Sequence, residues 1–420
     1  MNRAKWWADS AWVAFSRLWI TASAAVIGIV LARLLTRADL GRYFLVLSLA
    51  GALSTLAQLG LGPAATRAIA AARSEGTPEE TAGIVRAVLR RGLLGVALAG
   101  TAALALATGL SLGLVIGLLL AACVFAQTWQ TLSAELLRGF QDIRSATLFG
   151  ELTGSLATFV LLFAALAFWR DASLETVLLL VVASTFLAAV LGAARLRRHL
   201  PAVKPNAPPR LLADSAPILV TQFVWMLRTH ADIWIMSALR PPAEVALYGV
   251  ATRLAALLVA PQNIAKSVLA PSITEIHNQQ RQRDLQEMLR GSAAVAGGLA
   301  VVGCLAYCLL GEWFLGITYG PAYGRAAAAL SILASGQAIA VCSGLSATTL
   351  IMTGHARQVM WISGFCTAVS LAACLLLTPW WGVLGASVAM AAGTVLQNSL
   401  AWAVCRRTLG IHTHAGMVWR

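Results

Sequence analysis

The stretch TVLLLVVASTFLAAVLGAARLRRHLP, residues 176–201, decides the fold. Residues 176–194 carry no charge, and Leu, Val and Ala supply most of their side chains. A spanning α-helix needs about 20 mostly apolar residues, which this run provides. A helix apolar on every face is not the surface helix of a soluble domain. Arg195, Arg197 and Arg198 then arrive together, followed by Pro201. Basic residues crowded at one end of an apolar run mark the cytoplasmic end.

The pattern repeats in both directions. Apolar runs at 11–35, 41–70, 84–108, 113–137, 146–169, 173–194, 215–239, 244–271, 289–312, 326–352, 358–379 and 382–405 predict about twelve transmembrane helices. Charged residues make up 11% of the chain and hydrophobic residues 59%. A soluble domain carries about 25% charged residues, so most of this surface is suited to lipid. The first run is long and lacks a clear cleavage site, so it reads as a retained helix rather than a signal peptide. Every outer gap is short, which leaves no room outside the bilayer for a catalytic domain.

Charge placement sets the topology. The net charge of +14 would suggest nucleic acid in a soluble chain. Here the basic residues sit in short gaps between apolar runs, so the expected partners are membrane lipids and no nucleic acid. With the N-terminus cytoplasmic, the inner segments hold nineteen basic residues, among them Arg3, Lys5, Arg73, Arg138, Arg144, Lys204 and Arg406. The outer segments hold four, Arg37, Arg170, Arg240 and Arg325. The bias predicts both termini inside and an even number of helices.

The longest hydrophilic gap runs from Arg195 to Asp214 and contains Pro201, Pro205, Pro208 and Pro209. Proline-rich chain acts as a semi-rigid spacer. This predicts a six-helix lobe at 1–196, a cytoplasmic linker at 197–213 and a second six-helix lobe at 214–420. The lobes echo each other: Asp39 precedes Tyr43 by four residues, and Glu244 precedes Tyr248 by four, each pair opening a long helix. Two repeats of like topology suit a transporter with a midplane cavity.

At this point the residues resemble a known family. Leu40-Gly-Arg-Tyr43, the stretch Leu59-Gly-Leu-Gly-Pro-Ala-Ala-Thr-Arg67 and Leu137-Arg-Gly-Phe-Gln-Asp-Ile-Arg144 in the first half are similar to the polysaccharide transport family. So are Ala231-Asp-Ile-Trp-Ile-Met236, Tyr248-Gly-Val-Ala-Thr-Arg-Leu254 and Tyr319-Gly-Pro-Ala-Tyr323 in the second half. That family belongs to the multidrug/oligosaccharidyl-lipid/polysaccharide exporter superfamily. The resemblance implies an all-α polytopic membrane protein with two six-helix lobes around a central cavity. It implies a flippase that moves a polyprenyl-pyrophosphate-linked oligosaccharide across the bacterial inner membrane for O-antigen, lipopolysaccharide or exopolysaccharide synthesis. Polysaccharide polymerase and export proteins are the implied partners.

The chemistry of such a step is physical. A pyrophosphate–sugar head cannot cross hydrocarbon alone, because desolvating its charge is prohibitive. Cations inside spanning helices are costly and default to functional candidates. Arg17, Arg228, Arg253 and Lys266 are therefore candidate cavity cations, guanidinium being suited to phosphate through paired donors. Arg17 and Lys266 have the alternative of reaching to an interface. Arg228 has the alternative of a local pair with Asp232, four residues on. Asp232, Glu135 and Glu151 are candidate coupling or pairing acids, with H+ or Na+ as the coupling ion. Pro217, Pro261 and Pro271 are candidate bends in helices seven and eight.

No catalytic, cofactor or metal site is expected. The seven cysteines fall within apolar runs without zinc-ligand spacing, and neither a nucleotide loop nor GxSxG occurs in a suitable context. His412 and His414 form a lone His-x-His. Three other readings stand beside the flippase: a multidrug or cation antiporter of the same superfamily, a membrane glycan polymerase or ligase, and a non-transporting scaffold of a glycan-assembly complex. Short outer gaps disfavour the enzyme. The topology makes a direct prediction: reporter fusions after Arg37 and after Lys204 will report opposite sides of the membrane, and the same side for both contradicts it.

Overall fold

Hydrocarbon forces each spanning segment to satisfy its own backbone, and the chain answers with helix almost throughout. A computed structural model describes residues 3–168, 172–200, 203 and 211–415, with no strand among them. The elements are α1 (Arg3–Leu34), α2 (Arg37–Ala57), α3 (Leu61–Ser74), α4 (Pro78–Gly109), α5 (Leu114–Gly139), α6 (Ile143–Thr147), α7 (Thr153–Phe168) and α8 (Leu174–Arg197). They continue as α9 (Leu211–Leu239), α10 (Pro242–Leu257), α11 (Ala260–Asn278), α12 (Gln282–Thr318), α13 (Ala327–Cys342), α14 (Ser346–Met352) and α15 (Ala356–Leu409). Among the described residues eight helices are long and apolar enough to cross a membrane, or nine if the bent pair α10–α11 is one span. The chain is a polytopic all-α membrane protein. Most of the predicted linker 197–213 lies outside the described residues.

Two compact units form, Met1–His230 and Ala231–Arg420, dividing within α9. In the first, α5 is central and packs against α2, α3, α4 and α8. Its residues Leu120, Val124, Thr128, Leu132 and Leu136 are all buried to 1% exposure or less. Their spacing of four places them on one face, which is why α5 is enclosed. In the second unit α13 takes the same part, packing against α10, α12 and α15. The outward faces stay apolar: Leu98, Leu309 and Trp380 are 70%, 80% and 85% exposed, as lipid-facing side chains are.

The repeat seen in the sequence has a structural register. Asp39 is the third residue of α2 and Tyr43 the seventh; Glu244 is the third residue of α10 and Tyr248 the seventh. Both tyrosines are buried. Each acid sits in the first helical turn, where it complements the helix dipole, and each has an arginine: Arg42 at 3.2 Å from Asp39 and Arg240 at 2.8 Å from Glu244.

Several predicted helices are interrupted. The run 41–70 breaks between α2 and α3, where Leu59 and Gly60 both adopt positive φ. The run 244–271 bends by 46° between α10 and α11, with Pro261 in the first turn of α11. Proline fits there because the first N–H groups of a helix have no intrahelical partner. The run 146–169 contains a π-helical turn at Leu148–Leu152. The run 326–352 breaks at Gly344 (φ 78°). Hydropathy does not register these interruptions, because each substitutes turn bonds or a wider helix for ordinary helix without changing the apolar pattern.

The predicted pair 358–379 and 382–405 is the hairpin of α15, turning at Gly382 (φ 54°, ψ −130°). Gly385 abuts Leu377, Gly393 abuts Ser370, and Gln397 Nε2 donates to Ser363 Oγ at 3.1 Å, so the two arms run antiparallel. After Gly410 the chain folds back on the second unit. Ile411 and Thr413 are buried. Ala415 N–H donates to the Cys342 carbonyl at 2.9 Å and Thr413 Oγ1 to the Ser343 carbonyl at 3.0 Å. Gln262 Nε2 donates to the Gly344 carbonyl at 3.0 Å. The tail and Gln262 thus satisfy the carbonyls that the end of α13 leaves without helical partners.

Gly60 offers a test of the break in the first unit. It combines φ +70° with a position where a Cβ would collide with the Ser215 carbonyl. Gly60→Ala is expected to destabilise the protein by about 1 kcal/mol or more, read as a lowered melting temperature of the purified protein.

Candidate functional site

In the second unit, α9 carries Asp232, which is 7% exposed, and α10 carries Tyr248, which is fully buried. Tyr248 Oη donates to Asp232 Oδ2 at 2.7 Å, and the Ile233 N–H donates to Oδ1 at 2.8 Å. Both donors are neutral. A buried carboxylate held by neutral donors is expensive as an anion. The sequence signal for Tyr248 was its repeat register, which said nothing of its bond to Asp232. Arg228 lies one turn before Asp232 on α9 and is partly buried.

Arg253 lies on α10, five residues beyond Tyr248, and is partly buried. It is within electrostatic reach of Tyr319, whose ring lies 5.9 Å from that of Tyr323. The Tyr-Gly-Pro-Ala-Tyr stretch therefore stands beside an arginine of the bent α10–α11 pair. Lys266 is on α11, past the bend, and is exposed. Arg17 is on α1, and its side chain lies outside the described residues.

In the first unit Glu135 is not left to water. Thr66 Oγ1 donates to its Oε2 at 3.0 Å, and Arg138 pairs with its Oε1. Gly62 leaves room for its methylenes. Glu135 is a pairing acid that ties α3 to α5. Glu151 is half-buried in the π-helical turn, a distortion often found at functional positions.

A second network was not legible in the sequence, where Arg73 and Arg195 counted as inner-face charge and Phe140 and Asp142 belonged to the Leu137–Arg144 stretch. Asp142 caps α6 by accepting from the Ser145 N–H at 3.3 Å. Arg195, from the end of α8, reaches it at 2.8 Å, and His199 Nε2 at 3.0 Å. The His199 ring stacks on Phe140 at 5.4 Å, and Arg73 donates to the Phe140 carbonyl at 2.6 Å. The Leu-Arg-Gly-Phe-Gln-Asp motif thereby joins α3, α5 and α8. Partial burial pushes the Asp142 carboxyl up, but the bonds from Ser145, His199 and Arg195 outweigh it and hold the group at about 2. Among the described residues no three metal-binding side chains come together.

The comparisons with known proteins agree with this architecture. The family model described as polysaccharide biosynthesis protein matches residues 6–277, and the MatE model matches residues 217–376. No curated protein matches the sequence. Among solved structures, an inward-facing multidrug resistance MATE family transporter of the MOP superfamily superposes with a TM-score of 0.75 at 15% identity, covering 94% of this chain and 98% of that one. The lipid II flippase MurJ in its inward closed conformation gives 0.70 at 12% identity, covering 94% and 87%. A MOP superfamily transporter from Pyrococcus furiosus gives 0.66 at 14%, covering 96% and 94%. At these identities the likeness is one of fold.

The lowered Asp142 carboxyl fixes a sign for pH dependence. Its contribution to stability is complete above the ordinary carboxylate value of 3.8 and is lost as pH falls through about 2. Asp142→Asn is expected to lower the melting temperature near neutral pH, with the gap to the unaltered protein closing as pH falls below about 4. A gap that stays constant across that range contradicts the network.

Proposed function

Because the chain belongs to the polysaccharide biosynthesis protein family, we propose that it is a flippase for a lipid-linked oligosaccharide. The substrate is a polyprenyl-pyrophosphate glycan used for O-antigen or exopolysaccharide, carried across a bacterial plasma membrane by alternating access. The observation that carries the reading is the partly buried Arg253 inside the bent, apolar α10–α11 pair, beside a tyrosine pair. An arginine at the centre of a spanning helix costs about 2.5–3.5 kcal/mol on insertion scales. A phosphate-bearing head that must cross the membrane gives that cost a use, through paired guanidinium donors. Arg17 and Arg228 are further candidate cations for the headgroup in this reading, and exposed Lys266 serves its approach. The lobes 1–196 and 214–420, the cytoplasmic linker 197–213, cytoplasmic termini and a polymerase partner belong to the same proposal.

Asp232 favours a second element, and a second reading. Its neutral, buried setting suits coupling to H+ or Na+. The same residue fits a multidrug or cation antiporter, and the MatE match over residues 217–376 supports that alternative. The two readings part on the sign of the cargo. Arginine lining favours an anion, whereas an antiporter for cations would depend on acids alone.

Charge reversal separates them. Arg253→Glu or Arg17→Glu is expected to abolish surface glycan export, while the amount of protein in the membrane stays unchanged. Normal export with either variant removes that arginine from the proposed path.

A further inference from the structure

The bend between α10 and α11 disturbs the bonding of one carbonyl. In a continuous helix the Leu254 carbonyl accepts from the Leu258 N–H, four residues on. At the bend Leu258 and Val259 instead donate three residues back, to Ala255 and Ala256, each at 3.2 Å. This tightened turn draws the Leu258 N–H away from Leu254. A replacement comes from α12, where Tyr307 Oη donates to the Leu254 carbonyl at 3.3 Å. The bond is longer than the roughly 2.7–2.8 Å usual between a hydroxyl and an oxygen acceptor, so it is one that can be exchanged.

The same face of α12 holds the bend at a second point. Leu258 is buried with Ala300, Ala334 and Val341, and a Cβ at Gly303 would collide with its side chain. Gly303 and Tyr307 are four residues apart and so share one face, while Leu305 and Leu309 on the opposite side of α12 are exposed. A notch and a hydroxyl on one helix thus grip the bend of another. Pro261 has no N–H to return to the Leu257 carbonyl, so the pair α10–α11 cannot straighten fully. It can relax by one exchange, in which the Leu258 N–H returns to Leu254 and Tyr307 lets go.

We propose that Tyr307 is a positioning residue that locks this bend, the Leu254 carbonyl being shared between Tyr307 Oη in the bent form and the Leu258 N–H in a straighter one. One acceptor with two alternative donors gives two discrete arrangements that differ little in bonding. That is the property a hinge between two transport states needs. Arg253 immediately precedes Leu254, and Lys266 lies past the bend, so the bend sets how far apart these two cations stand. The role in transport rests on the flippase reading; the lock itself does not.

The test reads the bend and transport separately, both in the purified full-length protein. Nitroxide amino acids placed at Pro242 and Asn278 by codon suppression leave the native cysteines alone and report the end-to-end distance of α10–α11 by pulsed electron resonance. Tyr307→Phe keeps the ring, whose centroid lies 6.3 Å from that of Phe314, and removes the hydroxyl. It is expected to lengthen the distance by about 3 Å, for a rise of about 1.5 Å per residue and a bend relaxed by about 20°. Ser331→Ala removes a hydroxyl that donates to the Tyr307 carbonyl at 3.5 Å and is expected to leave the distance unchanged. If Tyr307→Phe does not fold, Tyr307→Met, which also lacks the hydroxyl, reads the same distance. A distance that stays fixed without the hydroxyl, or moves equally in Ser331→Ala, overturns the lock. In liposomes holding a fluorescent polyprenyl-pyrophosphate oligosaccharide, Tyr307→Phe is expected to slow translocation severalfold. A normal rate despite the longer distance overturns the positioning role. If the unaltered protein moves no glycan, the flippase reading falls and the transport role with it, while the longer distance still establishes the lock.

Discussion

An unpaired backbone N–H or C=O in hydrocarbon costs several kcal/mol, and the architecture of this chain follows from avoiding that cost. Continuous helix is the default solution. The informative places are those where helix stops at membrane depth, since each must recover its lost bonds elsewhere. At the end of α13 the carbonyls of Cys342, Ser343 and Gly344 are taken by Ala415, Thr413 and Gln262. Between α2 and α3, turn bonds from Leu59 to Leu56 and from Leu61 to Gln58 bridge the gap. Between α10 and α11, Leu258 and Val259 bond back to Ala255 and Ala256. An interrupted spanning helix is thus supported rather than merely tolerated, and such interruptions are where transporters place their working parts.

The same logic governs polar side chains. Glu135 has Thr66 and Arg138; Asp142 has Arg195, His199 and Ser145. These acids are spent on holding helices together. Asp232 differs, because its partners are the Tyr248 hydroxyl and a backbone N–H. A buried carboxylate bonded in this way is expensive as an anion, which supports the proposal that it takes part in coupling. The repeat sharpens the contrast: Tyr43 occupies the register of Tyr248, yet the first unit has no acid sixteen residues before it, where Ile27 stands.

Much of the fold was legible in the sequence because the hydrophobic pattern of a spanning helix is strong and uninterrupted by charge. The paired registers of Asp39/Tyr43 and Glu244/Tyr248 could be read for the same reason: they mark helix starts. The breaks at Leu59–Gly60 and Gly344 could not, since glycine is common in membrane helices that run straight. Helix ends were underestimated, as in α12, which extends from 282 to 318 rather than 289 to 312, because amphipathic turns at the interface are only half apolar. The site was less legible. Spacing placed Arg228 one turn from Asp232 but could not show that a hydroxyl from the next helix, Tyr248, binds that carboxylate. The basic count at the inner ends likewise concealed that Arg195 and His199 converge on one aspartate.

The central claim is that cationic side chains within spanning helices pass an anionic, lipid-linked head across the bilayer. Its most direct test is reconstitution of the purified chain in liposomes holding a fluorescent polyprenyl-pyrophosphate oligosaccharide, with the fraction of label reached by an external quencher followed over time. The account predicts that the protein raises the rate at which inner-leaflet label becomes quenchable. Liposomes that leave the label in its leaflet, yet exchange a cationic drug for protons, would contradict it.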